Sequence, residues 1–100
     1  MNRKQTFKSE LTEMKPYWDS VRDSLAAFHA YSSEQADAAV TKYLQDILDV
    51  MTDPSLLYHD EPFYLANDIA NLEIPLSKHR SAYNAILRKC GLTLFEVVPN

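Results

Sequence analysis

Three groups of residues in this chain have types suited to chemistry: His59-Asp60-Glu61, the pair His79 and Cys90, and the rings Tyr58, Phe63 and Tyr64 set among carboxylates. The first would offer imidazole and carboxylate ligands to a metal. Adjacent residues point apart on a helix, so a metal site there needs ligands from elsewhere, and neither C-x-x-C nor H-E-x-x-H spacing occurs in the chain. The group reads as a polar bend between two helices. The second would be a thiolate–imidazole pair for nucleophilic catalysis. Its members share one expected helix but sit about three turns apart, too far for proton transfer between them. Cys90 reads as a small core residue. His29, following Phe28 at the end of an apolar stripe, reads as a helix-end residue. With Gly91 as its sole glycine, the chain has no phosphate-cradling loop. These residues predict no enzyme activity, no metal and no cofactor.

The third group suits recognition. Residues 53–73, DPSLLYHDEPFYLANDIANLE, combine three Tyr or Phe rings and a His with five acids. No Lys or Arg stands between Lys42 and Lys78, whereas seven acids do: Asp46, Asp49, Asp53, Asp60, Glu61, Asp68 and Glu73. Residues 1–33 carry five basic and four acidic side chains, residues 34–76 one and nine, and residues 77–100 four and one, giving +1, −8 and +3. A middle third of that charge repels nucleic acid and attracts a basic protein. Tyrosine and phenylalanine rings bury large area at little entropic cost, and carboxylates around them steer an oppositely charged partner. The candidate partner-binding residues are therefore Asp46, Asp49, Asp53, Tyr58, Asp60, Glu61, Phe63 and Tyr64. The competing reading is a solvated acidic helix face, with Phe63 and Tyr58 in the core and Tyr64 amphipathic. Lys78, Arg80, Arg88 and Lys89 spread around the last helix at 100° per residue and form no nucleic-acid footprint.

The elements that must position these residues are helices. One glycine in 100 residues argues against a turn-rich sheet, and 46% hydrophobic residues suffice for one core. Phe7, Leu11, Met14, Trp18, Val21, Leu25 and Phe28 recur at spacings of four and three, an amphipathic stripe over 6–31. Pro16 interrupts it, so either one helix is kinked there, which the unbroken phase favours, or a second helix starts at Pro16. Ser32 to Gln35 has the form of a capping box. The next stripe is Ala36, Val40, Tyr43, Ile47 and Met51, widened by Ala39, Leu44 and Leu48. It puts Asp46, Asp49 and Asp53 together on the opposite face. Asp53-Pro54 and Glu61-Pro62 each read as a cap followed by a first helical residue, giving a short helix over 54–58 and a longer one with Phe63, Ala66, Ile69, Ala70 and Leu72, ended by Pro75. Ser77 caps the last helix, which shows Tyr83, Ile86, Leu87 and Cys90 on one side, carries Arg88 and Lys89 in its last turn and stops at Gly91. The tail LTLFEVVPN has strand-forming residues but no partner strand, so it is expected as an extended apolar strap. The expected fold is a single all-α domain over 1–100: four principal helices plus one short helix in a bundle, with that C-terminal strap.

The stretch SSEQADAAVTKYLQDILDVMTDPSLLYH, residues 32–59, resembles part of the nuclease-colicin immunity proteins. The matching pieces are Ser32-Ser33-Glu34, Met51-Thr52-Asp53-Pro54 and Leu56-Leu57-Tyr58. The resemblance implies a four-helix fold with a very short third helix, and a protein that binds and inhibits a basic nuclease toxin. The family's Asp at the start of the short helix is Ser55 here, and its second Tyr is His59. Only Tyr58 and the acids of the second helix carry the family's role across. The charge pattern and the resemblance thus point to a non-enzymatic immunity or antitoxin protein with a basic partner, a toxin in this reading. The alternative is a helical adaptor that forms a homodimer through its first helix and its tail. No apolar run approaches the ~20 residues of a membrane span, no leader-like apolar segment follows Met1, and a lone cysteine excludes an internal disulfide framework, so a cytoplasmic location is expected.

Overall fold

A computed structural model describes residues 9, 11–50, 58 and 60–92. Within them the chain is all-α. The long helices are α1 (Lys15–His29), α2 (Ser33–Val50), α3 (Pro62–Ala70) and α4 (Arg80–Cys90), with a single 3₁₀ turn at Leu76–Lys78 before α4. No strand occurs among the described residues. The short helix expected over 54–58 falls mostly outside them, although Tyr58 itself is in a 3₁₀ turn. The strap expected beyond Leu92 lies outside as well.

α1 is the central element and packs on α2, α3 and α4. Its buried side chains are Tyr17, Trp18, Val21 and Leu25, with Ser20 and Ser24; the Ser20 hydroxyl donates to the Pro16 carbonyl at 3.0 Å. The helix begins at Lys15, with Met14 outside helical geometry and Pro16 in the first turn. The chain is therefore broken before Pro16 rather than kinked through it. Proline in the first turn removes only an N–H that had no acceptor anyway. The stripe nevertheless keeps its phase, because Leu11 and Met14 pack on the same cluster as Trp18 and Val21.

α2 starts with the expected capping box. The Gln35 N–H donates to Ser32 Oγ at 3.0 Å, and the Ser32 N–H donates to Gln35 Oε1 at 2.9 Å. Its buried row is Ala36, Val40, Leu44 and Leu48, every fourth residue. That row meets Tyr17, Trp18, Val21, Leu25, Leu65 and Ala66 to form the larger core cluster, with Ala39, Tyr43, Tyr58 and Ile69 at its margin.

α3 begins at Pro62 after an extended Glu61, as the sequence suggested. It ends earlier than Pro75 would have stopped it. Asn71 takes a left-handed conformation at φ 56°, and the Leu72 N–H closes on the Asn67 carbonyl at 3.1 Å. Leu72 is therefore off the helix and 58% exposed rather than on its apolar side. Ser77 does not cap α4 either: it lies within the 3₁₀ turn, and His79 is the residue before the helix. A second, smaller cluster joins Phe63, Leu76, Tyr83 and Leu87, with Phe28, Ile74 and Leu92 against it. Gly91, at φ 86°, ends α4 as expected.

Candidate partner-binding site

The structure separates the eight candidate residues. Phe63 is not a surface anchor: it is 1% exposed, and its ring meets Tyr83 edge-on at 5.3 Å and Phe28 at 5.2 Å. A period of 3.6 residues gives the side of a helix but not the depth at which that side sits, and α3 is packed along nearly its whole apolar side. Tyr58 is half-buried. It makes T-shaped contacts with Tyr17 at 4.8 Å and Trp18 at 6.1 Å, and its hydroxyl accepts a hydrogen bond from Trp18 Nε1 at 3.2 Å. Tyr58 thus fastens its segment to α1. Glu61 is also engaged internally. Its carboxylate faces Arg80 Nη1 at 3.9 Å and adds to the rise that burial imposes on the Tyr83 hydroxyl's pKa. Asp53 lies outside the described residues.

The remaining candidates are at the surface. Asp46 and Asp49 are exposed on α2, as the spacing required, and Asp46 is paired at 2.8 Å with Lys42 one turn earlier. Such a pair holds two mobile side chains in water and contributes little. Asp60 is exposed, and its carbonyl accepts the Tyr17 hydroxyl at 3.0 Å, which fixes the approach to α3. Tyr64 is 46% exposed at the start of α3.

Tyr64 stands not beside the α2 acids but at one wall of a groove of about 300 Å³. The other lining residues are Asn67, Asp68, Asn71, Leu72 and Glu73. Asp68 follows Tyr64 by one helical turn and shares its face. The left-handed Asn71 then folds the chain back so that Leu72 and Glu73 close the other side. Among the described residues, the exposed large hydrophobic side chains are Val50, Tyr64 and Leu72, and two of these three border this groove. Sequence reasoning took Leu72 as core and did not single out Asp68 or Glu73 within the acidic run. The missed signal was Asn71, a residue that tolerates left-handed geometry and ends the helix four residues before Pro75.

The groove is held from below. Asn67 is buried, its Nδ2 donates to the Ile74 carbonyl at 3.1 Å, and its Oδ1 lies 2.9 Å from His29 Nε2. An amide oxygen only accepts, so His29 is the donor and carries its proton on Nε2. One side chain therefore ties α1, α3 and the returning loop together. Acidity extends toward α2: burial first, then Asp68 and Asp60, pushes the Tyr43 hydroxyl above its ordinary range. The carboxylates of Asp60 and Asp68 thus act on the same point of the surface.

Elsewhere the polar groups are structural. His79 packs its ring between Phe28 at 5.1 Å and Phe63 at 6.3 Å. Cys90, at the far end of α4, points its thiol at Asp23 Oδ2 at 3.6 Å, and burial raises its pKa, with Asp23 adding to the rise and a hydrogen bond with Ser20 opposing it. Among the described residues no group of three His, Cys, Asp or Glu side chains converges to hold a metal ion, and no helix is long and apolar enough to cross a membrane. Comparison with protein-family models, curated proteins and solved structures finds no match to this chain.

Proposed function

We propose that this chain is a non-enzymatic binding protein that neutralises a basic protein partner, in the manner of the nuclease-toxin immunity proteins that residues 32–59 resemble. The observation that carries the reading is an unbroken run of one charge with apolar side chains exposed inside it. Residues 43–77 hold seven carboxylates and no Lys or Arg, and Tyr64 and Leu72 stand in solvent among them. An interface of this composition offers apolar area for affinity and a negative field for fast encounter. The acids Asp46, Asp49, Asp60 and Asp68 give the field breadth across α2 and α3. Phe63, Tyr58 and Glu61 contribute by holding α3 in place rather than by contact.

The test uses the full chain, immobilised, with lysate of cells that encode it. The expected product is a captured protein of pI above about 9 whose cleavage of plasmid DNA stops when the chain is added. Capture should weaken with salt, and association should slow when Asp60, Asp68 and Glu73 are made Asn or Gln. A captured protein that is neutral or acidic overturns the reading. So does DNA cleavage that continues in the complex, or capture that the neutralised variant leaves unchanged.

A further inference from the structure

We propose that the groove between Tyr64 and Leu72 recognises one Arg or Lys side chain together with a neighbouring apolar or aromatic residue, so that it selects a basic–apolar pair rather than positive charge in general. This rests on the reading that the partner is a basic protein and narrows it to a chemical feature of the bound segment. Three properties of the groove point to it. Its volume of about 300 Å³ is at the small end for ligand sites and suits side chains rather than a cofactor. Two of its lining residues carry exposed apolar surface, Tyr64 at 46% and Leu72 at 58%, so an apolar side chain seated against them removes area from water. The tyrosine ring also presents a face to a cation. Its remaining described lining is negative or neutral: Asp68 and Glu73 supply carboxylates, Asn71 supplies an amide, Asn67 has its amide engaged by His29 and Ile74, and none of these residues is basic.

The groove is also built before anything binds. Asn67 is fixed on both sides by His29 and Ile74, and the Leu72 N–H is bonded to the Asn67 carbonyl. The loop that carries Leu72 and Glu73 therefore loses little freedom on binding, which conserves affinity. The face of α2 offers a weaker choice for a cation, because Asp46 already engages Lys42 at 2.8 Å.

The probe is the synthetic tripeptide acetyl-Leu-Arg-Trp-amide, titrated into the full chain and followed by amide chemical shifts. Two control peptides separate charge from apolar contact: acetyl-Gly-Arg-Gly-amide and acetyl-Leu-Gln-Trp-amide. Saturable shifts are expected at Tyr64, Asn67, Asp68, Leu72 and Glu73. Affinity should fall about tenfold for either control peptide, and by a similar factor for the Asp68→Asn/Glu73→Gln variant and for Tyr64→Ala, whose exposed positions leave the fold intact. Equal affinity for the Gly-Arg-Gly peptide would overturn the proposal, as would shifts spread evenly over Asp19, Asp37 and Asp46. Shifts at the groove on diluting the chain alone would show a second copy as its occupant and overturn it too. If the peptides behave as expected while the captured partner is no basic nuclease, the groove stands and the toxin reading falls. If the partner is such a nuclease and the peptides do not bind the groove, the reverse holds.

Discussion

The two halves of this small domain are stabilised in different ways. Around α1 and α2 the core is a deep aliphatic and aromatic cluster of ten buried residues, eight of them from regular stripes on these two long helices and two, Leu65 and Ala66, from α3. Around α3 and α4 four buried residues suffice, Phe63, Leu76, Tyr83 and Leu87. The first half tolerates a poor helix end: α1 closes on Ala30 at φ 61°, left-handed geometry in a residue with a Cβ. In the second half the equivalent positions are Asn71 and Gly91, which suit that geometry. The second half also depends on polar contacts between distant residues. Tyr83 accepts the Phe63 N–H, one of the donors that the start of α3 leaves without an intrahelical acceptor, at 3.3 Å. Asn67 ties three segments together. Where apolar burial is generous, local details matter less. Where it is small, because Tyr64 and Leu72 face solvent at the groove, each polar contact carries a larger share of the stability.

The largest effect is expected in the first half. Leu44 is fully buried between α1 and α2, and Leu44→Ala removes three carbons from a packed site. A loss of about 3 kcal/mol is expected in urea unfolding, from transfer plus the cavity left behind. The comparison breaks if this substitution costs less than the loss of one hydroxyl from the second half.

That hydroxyl is on Tyr83. Tyr83→Phe keeps the ring and leaves the Phe63 N–H without its acceptor. A loss of about 1–3 kcal/mol is expected, the range for a buried donor left unsatisfied. The substitution also has a pH signature. Burial is the main cause that pushes the Tyr83 hydroxyl well above the ordinary tyrosine value, and burial followed by the Asp60 carboxylate does the same to Tyr17. The unfolded chain therefore loses these protons first as pH rises. Stability from the neutral tyrosines is intact below about pH 10 and declines above it, by up to roughly 1.4 kcal/mol per pH unit for each ring. Tyr83→Phe should flatten this alkaline decline, leaving the shares due to Tyr17 and Tyr43. An unchanged slope would mean that Tyr83 ionises as readily in the fold as outside it.

The same contrast explains what could be read from the sequence. The first half was more legible because its signals are local and periodic: the apolar side of α2, although the buried row runs through Leu44 and Leu48 rather than Tyr43 and Ile47, the stripe through Trp18 and Leu25, and the reciprocal bonds of Ser32 and Gln35. Pro62 as the start of α3 and Gly91 as the end of α4 were legible for the same reason. The second half was not. That Phe63 is covered depends on Phe28 and Tyr83, residues 35 and 20 positions away, and no pattern within one helix reports them. Leu72 reads as core if the helix continues to Pro75, and as an exposed wall once Asn71 ends it. Glu61 looks like a surface charge until Arg80 and Tyr83 are brought to it. The acidic run was visible from composition, but which acids border apolar side chains depends on that single helix end.

The smallest predicted effects are a mirrored pair at two helix ends. Ala30 and Gly91 occupy corresponding positions, with φ of 61° and 86°. A side chain in that conformation costs about 1–2 kcal/mol from contact with its own carbonyl, of which glycine's greater unfolded-state freedom returns 0.4–1. Ala30→Gly should therefore stabilise by about 0.5–1 kcal/mol. Gly91→Ala should destabilise by a similar amount, and through backbone conformation, because a Cβ added there meets no atom of the described residues within 4 Å. Thermal melts of the two variants and of the double variant measure this directly. The sites lie on different helices and the effects should add, leaving the double variant near the wild type. If Gly91→Ala costs much more than Ala30→Gly gains, the end of α4 carries packing that its empty surroundings do not show, and the second half is less dependent on polar caps than this comparison requires.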